Sequence, residues 1–334
     1  MSDSKPLVSV IVPTYNGAKR IAATLKSIIN QDYENLEIVL VNDASTDDTL
    51  NIAEKVLKNS GRKFKIINHE KNLGVSPARN TGFDASSGEY VIFFDHDDLA
   101  EKNYVSSLLN KILEDDCDIS FCGFVDRYED GRPDKFWQVK IENSKILNAD
   151  EALNFRIENK TPISMWCAMF KRKFLEKYNL RFCDKAFEDI AFLLRTFCRA
   201  EKISFVRDCL YIYVHSPEMT SLRSVDTREK KLRRYTDGSY AQERLAEYLS
   251  TYAPSERTKF LADYLIMPEA IVSKFTVESR KNDRTAYDNL CKDKRLREIL
   301  KRSRKTFFRK PEVFLKSLMI LLMPGLYFKL RSRE

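Results

Sequence analysis

Short apolar runs alternate with helical repeats through the first hundred residues, and that alternation limits the possible folds more than any other feature. Residues 7–12, LVSVIV, are apolar and β-branched, as suits a strand buried on both faces of a parallel sheet. Pro13 is expected to end the run. Asn16-Gly17 signals a turn, and Ile21, Leu25, Ile28 and Ile29 follow at helical spacing. Residues 36–41, LEIVLV, read as a second buried strand, and Asp47 and Asp48 suit the first turn of the next helix. Phe64–Ile67 reads as a third strand, Val75–Ser86 as a helix after Asn72-Leu73-Gly74, and Tyr90–Phe94 as a fourth strand. The order predicts an α/β fold, with a Rossmann-like, mostly parallel sheet and helices on both faces.

Beyond this half the pattern is mixed. Asp118–Val125, Ile203–Val206 and Leu210–Val214 read as strands, and Ala149–Glu158 and Phe187–Ala200 as helices. After about Ser221 the chain turns basic and helix-rich. With 334 residues the expected division is a large domain over residues 1–220 and a basic C-terminal helical extension over residues 221–334.

Composition excludes several classes. The seven cysteines are odd in number, form no CxxC pair and sit mostly among apolar neighbours, which implies free thiols, a reducing compartment and no structural zinc. Met1–Pro6 lacks the basic start and apolar middle of a signal peptide. No apolar run reaches the roughly 18–20 residues that span a bilayer. Net charge is +8, and Lys301–Glu334 holds ten Lys or Arg against two Glu. The basic run Lys301–Lys310, followed by apolar Val313–Phe328, suggests that residues 301–330 lie peripherally on an anionic membrane surface; the bland alternative is a helical annex packed on the core. Nothing marks a nucleic-acid reading head. The expected location is cytoplasmic, on the inner face of the plasma membrane where the tail makes contact.

Four elements carry chemistry. Asp95-His96-Asp97-Asp98 leaves the end of the YVIFF strand, and carboxylates one residue apart with an open side suit Mg²⁺ or Mn²⁺. A metal there would neutralise charge on a diphosphate leaving group. His96 is expected to point away from the metal. Asp43 also falls just past a strand end, so two acids from separate strands converge on the crevice where such sheets bind ligands. Asp43 can accept from the imide N–H of a uracil or thymine, or it can cap the next helix. Arg79, in Ala78-Arg79-Asn80-Thr81-Gly82, can reach a base or a phosphate. Glu188-Asp189 opens a helix whose dipole favours anions, and an aspartate there can serve as a general base. His215 follows a strand, where it serves either as a ligand or structurally. His69 has no evident partner.

The segments VSVIVPTYNGAKRIAATLKSIINQDYENLEIVLVNDASTDDT and NLGVSPARNTGFDASSGEYVIFFDHDD resemble the family 2 glycosyltransferases, bacterial surface-polysaccharide type, over residues 7–220. The resemblance implies a GT-A fold and an inverting transferase that uses Mn²⁺ or Mg²⁺ and a UDP-sugar. Pro13, Thr14 and Tyr15 would line the base pocket, Asp43 would bind the base and Arg79 would help hold the nucleotide. Asp95 and Asp97 match the metal-binding pair, Asp97 being the more direct ligand. Asp189 would be the general base, with Glu188 near acceptor or sugar. Trp166 and Lys171-Arg172 resemble an element near the acceptor side, where Trp166 would stack on a sugar or serve the core. Val214 departs from the Arg often found in relatives, which weakens a phosphate role for that turn.

The function expected is transfer of a hexosyl or N-acetylhexosaminyl group from a UDP-sugar to a hydroxyl of a glycan, lipid-linked in the expected case. The rivals are an inactive nucleotide-sugar-binding or scaffold protein, and a sugar-nucleotide pyrophosphorylase. The last needs a glycine-rich basic loop near the first strand, and PTYNGAKR holds one Gly. Neither donor sugar, acceptor nor oligomeric state is encoded legibly.

Overall fold

The computed structural model describes residues 5–139, 141, 145–157, 164–183, 188–216, 240, 242–252, 254–256, 259, 263, 266–302 and 311–332. The chain divides into two compact units, Met1–Ser216 and Pro217–Glu334.

The first unit is built on a nine-stranded sheet. Its parallel half runs β3-β2-β1-β4, with β1 at Val8–Thr14, β2 at Leu36–Asn42, β3 at Lys63–Asn68 and β4 at Tyr90–Phe93. Three crossover helices join these strands: α1 (Ile21–Ile29), α2 (Thr49–Lys58) and α3 (Val75–Ala85). β1 and β2 are buried along their whole length, as their apolar runs require. α1 buries Ile21, Thr24, Leu25 and Ile28, one stripe at helical spacing. α3 lies so near the sheet that a Cβ at Gly82 would stand 2.3 Å from Ile11 Cγ2, which leaves room for hydrogen only.

Pro13 does not end β1; the strand continues through it to Thr14. Ile11 faces β4, since its carbonyl accepts from Phe94 N–H, whereas Thr14 faces β2. By alternation Pro13 turns its missing N–H toward β4, whose ladder with β1 has stopped at Ile11, so no sheet bond is lost.

Past β4 the sheet becomes mixed. The later elements are β5 (Leu99–Ala100), α4 (Tyr104–Asp115), β6 (Ile119–Tyr128), β7 (Lys135–Trp137), α5 (Ala149–Ile157), β8 (Ala168–Lys171), α6 (Arg172–Lys177), α7 (Glu188–Phe197) and β9 (Ile203–His215). β8 runs antiparallel between β4 and β6, β9 runs parallel to β6, and β5 closes the edge on β9. The two short strands expected around residues 203–214 are one strand, which bends past exposed Arg207-Asp208 at a register shift beside Gly123. A Cβ at Gly123 would stand 2.7 Å from the Trp137 carbonyl, and this close approach makes glycine necessary there. Phe93 anchors the core, with Phe170, Phe182 and Phe192 around its ring. All seven cysteines are free.

The second unit contains α8 (Met267–Lys281), α9 (Arg284–Lys292), α10 (Lys294–Arg302), α11 (Pro311–Leu322) and α12 (Pro324–Arg331). They pack around Phe275, Tyr287, Leu300, Ile320 and Tyr327. α11 and α12 meet at 119°, and among the described residues no single helix is long and apolar enough to cross a membrane. Most of the basic run Lys301–Lys310, from residue 303 on, lies outside the described residues, as does Phe187.

Candidate active site

The acidic turn after β4 is held from three sides. Phe94 N–H closes the last bond to β1, and Thr24 Oγ1 of α1 lies 2.9 Å from the His96 carbonyl and 2.8 Å from that of Asp98. Asp98 turns inward, fully buried, and accepts from the Tyr211 hydroxyl at 2.6 Å and from Val214 N–H at 2.9 Å. Burial, and then the charges of Asp97 and Asp95, push its carboxyl well above the usual carboxylate range. Asp98 therefore belongs to the scaffold, and the turn presents Asp95 and Asp97. The His96 ring packs on the backbone at Gly17, where a Cβ would stand 2.4 Å from His96 Cδ2.

Asp97 is partly buried, and its carboxyl is also pushed up. Burial is the main cause and the Asp95 charge adds to it, while His96 and Arg20 oppose. Among the described residues no side chain forms a salt bridge with Asp97, and no group of three or more Asp, Glu, His or Cys forms a closed metal cage. Two crowded carboxylates with few protein partners fit a hard divalent cation that completes its shell with water or phosphate oxygens.

Arg79 joins the elements. It is 3% exposed, donates from Nη2 to Asp95 Oδ1 at 2.8 Å and from Nη1 to Glu188 Oε1 at 2.9 Å, and lies over the Phe182 ring. The carboxylates beside it raise its already high pKa, Asp95 first and then Glu188, with Asp189 adding a smaller share; together they outweigh burial, which acts the other way. Burial pushes the Glu188 carboxyl up, Arg79 pulls it back and Asp189 pushes it further. The next residue, Asn80, exchanges two hydrogen bonds with the Phe182 backbone, at 2.7 and 3.0 Å. α3 thus carries the contacts that bring the start of α7 to the acidic turn.

The N-terminus of α3 is tied to Asp43. Asp43 Oδ1 accepts from Leu73 N–H at 2.9 Å, and Oδ2 accepts from Gly74 N–H at 2.7 Å. Gly74 has φ of +96°, a region open chiefly to glycine. His69 Nδ1 lies 2.7 Å from Asp43 Oδ1, and its Nε2 lies 3.0 Å from Thr81 Oγ1. Sequence reasoning found no partner for His69, yet a signal existed: Asn42 pairs with Asn68 in register, so Asp43 and His69 leave adjacent strand ends together.

Along the end of β1, Thr14 is buried and its Oγ1 has no hydrogen-bond partner among the described residues, while Tyr15 is exposed. The loop that follows is stitched to the one after β2: Asn16 N–H donates to Ser45 Oγ and Gly17 N–H to Thr49 Oγ1. Elsewhere the side chains have structural partners. Trp166 is buried and stacks on Tyr211 and Tyr213. Lys171 pairs with Asp116, and Arg172 donates to the Gly88 carbonyl. His215 Nε2 lies 2.8 Å from Asp126 Oδ1, and its ring stacks on Tyr128.

The profile described as glycosyl transferase family 2 matches residues 9–179, half of the chain. The chain belongs to this family. Glycosyltransferase EpsJ of Bacillus subtilis, itself uncharacterised, is 33% identical over 217 residues, 64% of this family 2 chain. The match spans 62% of the length of that relative. Among solved structures, residues 1–349 of Staphylococcus aureus TarS in complex with UDP-GlcNAc have a TM-score of 0.68 at 23% identity, covering 96% of this chain and 92% of that one. The mannosyltransferase PcManGT of Pyrobaculum calidifontis, in complex with GDP-Man and Mn²⁺, has a TM-score of 0.54 at 19% identity, covering 96% and 88%. These likenesses carry the GT-A fold expected for the family 2 chain.

Proposed function

We propose that this chain is an inverting glycosyltransferase that moves a sugar from a UDP-sugar to a hydroxyl of a glycan acceptor, lipid-linked, in polysaccharide biosynthesis. The observation that carries the proposal is the Arg79 fork: one buried guanidinium holds Asp95 of the acidic turn and Glu188 beside Asp189. Donor-side and acceptor-side acids then flank one crevice, as direct displacement at an anomeric carbon requires.

In this scheme Pro13, Thr14, Tyr15 and Asp43 hold the base. The TarS complex with UDP-GlcNAc supports a nucleotide-sugar donor. Arg79 serves the donor by fixing Asp95. Asp97, with Asp95, would hold Mn²⁺ or Mg²⁺, which would supply positive charge to the departing diphosphate; the Mn²⁺ in the PcManGT complex supports this. Asp189 takes the proton from the acceptor hydroxyl, and Glu188 keeps it oriented through the Arg79 fork. Residues 301–330 bring the enzyme to an anionic membrane surface. The support is a run of exposed apolar side chains at the α11–α12 corner, including Leu322, Met323 and Leu326, near Lys316 and Lys329.

A panel of nucleotide-sugars, assayed for nucleotide release with Mn²⁺ and again with EDTA, tests the scheme. Turnover of one UDP-sugar that stops with EDTA is the expected result. Inactivity with every donor, in the presence of membrane lipid and glycan acceptors, would sink it in favour of a binding protein.

A further inference from the structure

We propose that His69 sets the base specificity of the Asp43 pocket, selecting a base with a single imide N–H over guanine. The inference rests on the base-binding role proposed for Asp43, and it concerns which donors the pocket rejects.

A carboxylate offers about four acceptor positions, two on each oxygen. Oδ1 of Asp43 uses both, on His69 Nδ1 at 2.7 Å and on Leu73 N–H at 2.9 Å. Oδ2 uses one, on Gly74 N–H at 2.7 Å. A single position is left, on Oδ2. Uracil and thymine present one N–H between two carbonyls, which that position satisfies. Guanine presents its ring N–H and its amino group side by side, a pair that needs both oxygens. Its second donor would face the saturated Oδ1 and be buried unpaired. Adenine and cytosine place a ring acceptor on this edge, which a carboxylate disfavours with or without His69.

The His69 ring is built to stay in place. It is largely buried, and its far nitrogen lies 3.0 Å from Thr81 Oγ1 on α3. All three groups are satisfied when Nδ1–H donates to Asp43 and Nε2 accepts from the Thr81 hydroxyl. Asp43 and His69 leave register-paired strand ends, so the sheet sets their spacing.

The test is calorimetric affinity for UDP and GDP, with Mn²⁺ present, on the full chain and four variants. The wild type should prefer UDP. In His69→Leu the preference should narrow by at least about tenfold, through a gain in GDP binding. His69→Asn should keep the preference, because an amide N–H can take the place of Nδ1–H. If His69→Leu does not melt cooperatively, Thr81→Val asks the same question by freeing the ring, and the preference should again narrow. A wild-type preference for GDP, an unchanged ratio, or a parallel fall in both affinities overturns the role of His69. Asp43→Asn separates the two ideas. If it weakens UDP binding while the His69 variants leave the ratio unchanged, only the present inference fails. If it leaves UDP binding intact, the base-pocket proposal fails first.

Discussion

Arg79 Nη1 lies 2.9 Å from Glu188 Oε1 and joins two helices 109 residues apart in the chain. The other arm of the same guanidinium reaches Asp95, so one buried cation is the shared partner of both acids. Arg79→Met should destabilise the protein by about 3–5 kcal/mol, because it strands two largely buried carboxylates. Arg79→Lys keeps the charge but not the fork, and should retain most of the stability while lowering kcat. Urea unfolding read beside steady-state nucleotide release separates these effects; equal losses in both variants would mean that the two-armed fork, and not the charge, is what matters.

Asp189→Asn should reduce transfer by about 10²–10⁴-fold, the range for loss of a general base, with UDP affinity nearly unchanged. Single-turnover transfer and calorimetric UDP binding give the two halves of the result. Normal turnover in this variant would remove Asp189 from the proton chemistry.

Asp98 makes a pH prediction with a definite sign. Burial raises its carboxyl in the folded state. Its contribution to stability is therefore complete below the unfolded value of about 4 and is lost as pH rises through the raised folded value. Asp98→Asn removes that slope while leaving an oxygen for Val214 N–H. The stability difference between wild type and Asp98→Asn, followed by urea unfolding across pH, should shift in favour of the variant as pH rises. Asp98→Ala instead leaves the Tyr211 hydroxyl and Val214 N–H unpaired, and should cost about 2–4 kcal/mol at acid pH, where the wild-type carboxyl is protonated, and less as pH rises.

Gly82→Ala should be destabilising by about 1–3 kcal/mol, since its Cβ would collide with Ile11 Cγ2 and push α3 off the sheet. Because α3 carries Arg79 and receives the Asp43 contacts, UDP affinity should fall as well. Preserved affinity in a destabilised variant would show that α3 reseats without moving the site.

Leu322 and Leu326 are exposed at the corner between α11 and α12. Replacing both by Glu should lower flotation with vesicles containing anionic lipid and leave donor turnover in solution unchanged. Flotation equal to that of the wild type would remove this corner from membrane contact.

Much of the parallel half was legible. LVSVIV and LEIVLV are too apolar for any site but a sheet covered on both faces, and they became β1 and β2. The antiparallel insertion of β8 between β4 and β6 was not, because its four residues give no periodicity long enough to read. Nor was the continuity of β9, since Arg207-Asp208 looks like a break until the bulge beside Gly123 is seen. Among candidate site residues the pattern shows residue type and strand-end position. It does not show orientation, so Asp98 read as part of an acidic cluster although it points into the core.

By itself, then, the sequence determined the parallel sheet, the acids at its strand ends and the acidic start of α7, because burial and helix-dipole preferences act on neighbours in the chain. Only the tertiary structure decided that Arg79 spans Asp95 and Glu188, that Asp98 serves Tyr211 and Val214, and that His69 takes one of the two acceptor positions on Asp43 Oδ1. Those bonds join residues 16 to 116 positions apart. The direction in which a charged side chain points is set by which distant donor it meets, and strand order, not local pattern, determines that.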